Sequence, residues 1–185
     1  MDVSRRDFVR RACVGAFCFC GFGRMTDAQA WADKDEHKED ASSDDLPQLW
    51  IREVLANLDA DLNGEECRRI VKSASMAHYA TGKMEELLAP YRGKSDEFIR
   101  FLEKEWGWKC RYEDGRRTLF ADENKPYCVC PLMQGVVGKR YPALCYCSEG
   151  FAERMFSFVF GRQVVATVVS SVQRGDDRCV YKIEL

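Results

Sequence analysis

Over residues 46–58 the apolar positions Leu46, Leu49, Trp50, Val54, Leu55 and Leu58 recur at steps of three and four. That spacing places them on one stripe of an α-helix, with Asp45 as its cap. The period returns over residues 64–79, where Cys67, Ile70, Val71, Ala74 and His78 share a face. Residues 83–89 form a short predicted helix, stopped by Pro90. Another is predicted over 95–106, with Phe98, Ile99 and Leu102 inward. After Gly107 the period drops to two. Trp108, Cys110 and Tyr112 alternate, Asp114-Gly115 signals a turn, and residues 117–121 return, which predicts a hairpin. Two Cys-x-Cys segments follow, read as strands. Residues 149–160 are a strongly apolar helix, capped by Ser148 and closed by Gly161. Residues 163–172 and 178–185 are strands about the turn Arg174-Gly175-Asp176-Asp177, with Cys179, Tyr181 and Ile183 on one face. The order predicts an α+β fold: N-terminal helices packed on an antiparallel sheet, then a C-terminal helix followed by a β-hairpin.

The chemistry concentrates in Cys128/Cys130 and Cys145/Cys147, two Cys-x-Cys pairs with fourteen residues between them. In an extended strand both members of such a pair face the same way, so two adjacent strands would converge four sulfurs. Four thiolates suit tetrahedral zinc or an iron–sulfur cluster, although the spacing is neither a zinc ribbon nor a ferredoxin run. Disulfides across the two segments, a redox pair, or free thiols packed in the core are the alternatives. Cys147 stands just before the predicted helix cap, where the positive helix end would favour its thiolate. Further candidates are Cys179, Cys67 and His78. Cys67 and His78 cannot share an ion, because eleven residues of helix separate them by about 16 Å. Asp59-Ala-Asp61-Leu-Asn63-Gly64 opens like a calcium loop, but Ile70 takes the place of the bidentate Glu.

Composition bears mainly on compartment. The chain has 185 residues, 31% of them charged, with net charge −2, which points away from nucleic acid and anionic membranes. Ser4-Arg5-Arg6-Asp7-Phe8-Val9-Arg10 matches the twin-arginine export pattern. An apolar run follows that is too short to span a bilayer, and Ala28-Gln29-Ala30 supplies a small-x-small cleavage site. Residues 1–30 are therefore expected to be a twin-arginine signal peptide engaging that translocase, which implies a periplasmic or extracellular protein. Residues 31–45 are expected to be a disordered charged linker and 46–185 a single domain. Seven of the ten cysteines lie beyond residue 30, and an odd count implies a free thiol, an intermolecular bridge or a metal ligand.

The last forty residues resemble the C-terminal half of 4-vinyl reductase-type small-molecule-binding domains and of the L-2-amino-thiazoline-4-carboxylic acid hydrolase family. The matching positions are Gly161, Ser171, Gly175, Asp176 and Cys179. The wider fold resembles ligand-binding domains of nitric-oxide signalling and Golgi-transport proteins. That resemblance implies an apolar small ligand held between helices and sheet. Together with the cysteines it gives an exported domain binding a small apolar ligand or a metal. The alternatives are a hydrolase or a thiol/disulfide redox protein. No Gly-x-Ser-x-Gly, His-Glu-x-x-His or P-loop motif names a catalytic residue.

Overall fold

The computed structural model of the chain describes residues 46–134 and 136–185. The export-signal positions Arg5, Arg6, Ala28 and Ala30, and the charged linker, lie outside the described residues. Five helices, α1 Leu46–Asp61, α2 Gly64–Thr81, α3 Met84–Leu88, α4 Ser95–Phe101 and α5 Leu144–Phe160, combine with four strands. The strands are β1 Lys109–Glu113, β2 Thr118–Asp122, β3 Val165–Ser170 and β4 Val180–Glu184. They form one antiparallel sheet in the order β1-β2-β4-β3. The α+β class and the helix-then-hairpin C-terminus are as the sequence predicts. No helix of the described residues is long and apolar enough to cross a membrane.

Local chemistry sets the element boundaries. Asn63 caps α2, its side chain accepting from the N–H groups of Glu65 and Glu66. Ala89–Tyr91 tightens into a 3₁₀ turn at Pro90, as a ring without an N–H requires. α4 loosens into a π-helical turn over Leu102–Trp106, ended by Gly107 at φ 71°. The hairpin turn carries Asp114, Gly115 and Arg116 all at positive φ, with glycine at the middle position.

α5 is the central element. Its Met155, Phe156 and Val159 are fully buried. They pack against α3, α4 and the inward side chains Leu119, Ala166 and Ile183 of the sheet. A second, smaller core lies between α1, the start of α2 and the loop before α5, built on Leu55, Val71, Met133 and Leu144.

Strand β3 is a sheet edge, and α5 protects it. The N–H of Val168 donates to Glu149 Oε2 at 3.0 Å, and that of Ala166 to Glu153 Oε2 at 3.0 Å. Edge donors that would otherwise invite another chain are thereby satisfied. Glu149 is only 1% exposed, and it is balanced by Arg68 at 2.7 Å and Lys72 at 3.2 Å from α2. A buried carboxylate without those cations would carry a large desolvation cost.

The two Cys-x-Cys segments depart from the strand expectation. Residues 128–130 are irregular and lead into a 3₁₀ turn, Pro131–Met133. α5 starts at Leu144, not at Ser148, so Cys145 and Cys147 both sit in its first turn. The N–H of Ala143 is received by Asp59 Oδ2 from α1 at 3.0 Å, so the cap comes from another element and not from Ser148. At 100° per residue, two positions along a helix point nearly opposite ways. Cys145 accordingly joins the main core and Cys147 the smaller one.

Candidate functional site: a buried thiol cluster

Three segments bring sulfurs to one place. The irregular stretch supplies Cys128 and Cys130, the first turn of α5 supplies Cys145, and the residue before β4 supplies Cys179. All four line a single small cavity of about 10 Å³, about the room one water molecule needs. Of the four cysteines expected to converge, three do so here. Cys147 turns away, and Cys179 takes its place. Cys147 still lies near enough to Cys130 for the two charges to be felt between them. All seven described cysteines are free thiols.

Hydrogen bonds hold the polar wall of the cavity. Ser171, 1% exposed, places Oγ 2.7 Å from Cys145 Sγ and 4.0 Å from Cys179 Sγ. The same oxygen accepts the Gln173 N–H at 3.1 Å. Gln173 Oε1 accepts the N–H of Tyr141 at 2.8 Å, and the Gln173 side chain also reaches the Cys128 thiol. Ser171 is fixed in turn by its own N–H, which donates to Asp176 Oδ2 at 2.7 Å. The turn that carries Ser171, Gly175, Asp176 and Cys179 is thus the floor of the site.

The loop bearing Cys128 and Cys130 is pinned from outside by α1. Arg52 donates to the carbonyls of Leu132 at 3.1 and 3.0 Å and of Gln134 at 3.1 Å. One guanidinium therefore satisfies the carbonyls left open by the short 3₁₀ turn.

Burial dominates the electrostatics. It pushes the Cys130 and Cys179 thiols up to about 12 and the Cys147 thiol up to about 11. Cys128 and Cys145 are raised for the same reason, with hydrogen bonds to Cys130 and Gln173, and to Ser171, pulling back. Cys147, expected just before the helix cap with a favoured thiolate, lies inside the first turn instead, where burial raises its thiol. A buried thiol of this kind is not a ready nucleophile. Glu123 lies behind the cavity-lining Tyr181, 6% exposed, accepting from its Oη at 2.7 Å. Burial raises its carboxyl pKa, and the Tyr181 hydrogen bond partly offsets the rise.

The sign of that shift makes the Glu123 carboxyl testable. An acid with a raised folded pKa holds a proton the unfolded chain has lost, so stability falls as pH rises through the carboxylate range. Glu123→Gln, which still accepts from Tyr181, is expected to raise the urea midpoint at pH 7. The advantage should vanish once pH drops below the ordinary carboxylate range. An equal gain at every pH would contradict a buried charge at Glu123.

The remaining candidates lie elsewhere. Cys67 is buried in the smaller core on α2, where burial raises its thiol. His78 stacks on Phe151, ring centroids 4.6 Å apart, and burial lowers its pKa. Sequence reading did not single out Ser148, Gln173, Glu123 or Tyr181 for the site; only Ser171 was marked, through the resemblance. Among the described residues no three His, Cys, Asp or Glu side chains already stand in metal-ligating geometry. The thiols surround the cavity without yet closing on a common point.

No curated protein matches the chain in sequence. A family model does match it over residues 16–185, nearly its whole length. The chain therefore belongs to the family of unknown function DUF6144.

Proposed function

We propose that the domain binds a single thiophilic metal ion of the zinc class through Cys128, Cys130, Cys145 and Cys179. The observation that carries this reading is four thiols from three separate segments around a cavity sized for an atom. An iron–sulfur cluster or an organic ligand needs far more room, so both draw less support. The chemistry of the donors suits the ion. A coordinating metal removes the thiol proton outright, which offsets the burial that otherwise keeps these thiols neutral. Side-chain rotation of Cys128 and Cys130, on an irregular stretch and not a strand, would complete the tetrahedron. A Cys/His hydrolase has less to rest on, since the thiols are protonated and His78 stacks on Phe151. The Ser4–Arg10 pattern supports export of the folded, loaded protein by the twin-arginine route.

Anaerobic titration of the reduced full chain with Cd²⁺, a spectroscopic stand-in for zinc, tests the reading. One ion per chain is expected, with sulfur-to-cadmium absorption in the near ultraviolet and release of about three or four protons. Cys179→Ser should weaken binding by about a hundredfold or more, since loss of even an outer partner of a metal ligand costs about 10–100-fold. Cys110→Ser, on β1 away from the cavity, should leave it unchanged. Sub-stoichiometric binding, or equal losses in both variants, would sink the proposal.

A further inference from the structure

Beside the thiol cavity lies a larger groove of about 570 Å³, within the range of small-molecule sites. The two are walled by different residues of one turn. Ser171, Gln173 and Cys179 face the thiols, while Val172, Gly175 and Arg178 face the groove. The groove's chemistry is unlike that of the cavity. Three cations, Lys125, Arg140 and Arg178, face two carboxylates, Asp176 and Asp177, and only Pro126 and Val172 are apolar. An apolar ligand finds no complementary surface there.

The charged groups are not equally free. Asp176 is committed to the Ser171 N–H. Arg178 is turned toward Asp122 at 3.3 Å and Asn124 at 3.5 Å. Arg140 and Asp177, by contrast, have no hydrogen-bond or ion-pair partner among the described residues. Lys125 makes no ion pair among them either, its ammonium lying over Gly107. Gly175 keeps Arg140 in place. It sits at φ 102°, and a Cβ there would come within 2.9 Å of Arg140 Nη1. The bare turn therefore leaves room for the guanidinium against it. An unpaired guanidinium with a second cation nearby matches the planar or tetrahedral face of an oxyanion. Asp177 and Asn124 add acceptors suited to hydroxyl groups.

We infer that this groove binds a small, hydroxyl-bearing oxyanion, a phosphoryl or carboxylate compound, with Arg140 and Lys125 on the charged end and Asp177 and Asn124 on the hydroxyls. The inference does not depend on metal binding at the thiols.

Glycerol 3-phosphate, glycerate and glycerol share one hydroxylated skeleton and differ in the charged end. Each is titrated into the full isotope-labelled chain, following backbone amides by NMR. Both anions should shift the amides of residues 124–125 and 175–178 saturably, and glycerol should not. The tighter of the two identifies the oxyanion. Arg140→Gln should raise the dissociation constant by about tenfold or more, the scale of a lost charged hydrogen bond. Lys139→Gln, whose lysine reaches Glu53 at 3.9 Å, controls for general charge. An unchanged urea midpoint for Arg140→Gln would show that the groove and not the fold was disturbed. No saturable shift, shifts of the same size with glycerol, or equal weakening by Lys139→Gln would overturn the assignment.

Discussion

Gly150→Ala is expected to destabilise the domain by about 3 kcal/mol, the upper part of the overpacking range. Gly150 lies on α5 where that helix crosses α2. A Cβ there would stand 2.5 Å from the Lys72 carbonyl oxygen, 3.0 Å from Lys72 Cγ, and closer still to Ser75 Oγ. Neither polar neighbour can step aside cheaply. The carbonyl belongs to the α2 backbone. Ser75 is wholly buried and donates back to that same carbonyl at 2.6 Å, while accepting from Arg154. The helices must therefore move apart, and with them the Arg68 and Lys72 contacts to Glu149 that hold the β3 edge. Urea unfolding of the reduced protein checks this, read as a lower midpoint at constant slope. Gly64→Ala is the control. Its Cβ would meet only Tyr146 Oη at 3.8 Å, so its midpoint should stay the same or rise slightly. A wild-type midpoint for Gly150→Ala would mean that the close helix crossing is not needed.

Period explains which parts of this architecture could be read from the sequence. Long segments with a sustained period were legible. The i, i+3, i+4 stripe of α1 and α2, and the alternation of Cys110 and Tyr112 beside Asp114-Gly115, point to the observed elements. The apolar run on α5 was legible as well, but not its beginning. Leu144-Cys145-Tyr146-Cys147 shows two-residue alternation over a single repeat, too short to separate a strand from a helical turn. What decides it is tertiary: Asp59 arrives from α1 to cap the Ala143 N–H, and no local pattern announces that. The site followed the same division. Cys128, Cys130 and Cys145 were visible as a constellation, and Cys179 was found through resemblance. Helical geometry then exchanged Cys147 for Cys179. Gln173, Glu123 and Tyr181 carry no motif, because their roles come from where the 171–179 turn and the end of β2 meet. Glu149 and Glu153 looked like ordinary helix charges, yet they serve the unpaired N–H groups of an edge strand.

Alkaline unfolding is the other large effect, with its direction fixed by the thiols. Burial lifts Cys110, Cys130 and Cys179 from the ordinary value of 9.0 to about 12, and Cys147 to about 11. Between those limits the unfolded chain has lost protons that the folded chain still holds, so stability falls as pH rises. A full unit or more below pH 9 neither state ionises appreciably and the thiols contribute little slope. Above it each costs up to about 1.4 kcal/mol per pH unit. Discounted for partial exposure of Cys110 and Cys130, the four together come to on the order of 4 kcal/mol per pH unit. Against a typical stability of about 5–15 kcal/mol, the domain is expected to unfold near pH 11. Urea midpoints of the metal-free protein under strict reduction should be nearly flat from pH 7 to 8 and then drop increasingly steeply. Cys110→Ser separates the thiol cause from general charge repulsion. Cys110 lies on β1, raised by burial with smaller contributions from Glu103 and Asp122, and takes no part in the cavity. Its removal should lessen the slope by about one thiol's share, up to about 1.4 kcal/mol per pH unit, while leaving the neutral plateau in place. A slope unchanged in that variant would move the cause of alkaline unfolding from the buried thiols to the protein's net charge.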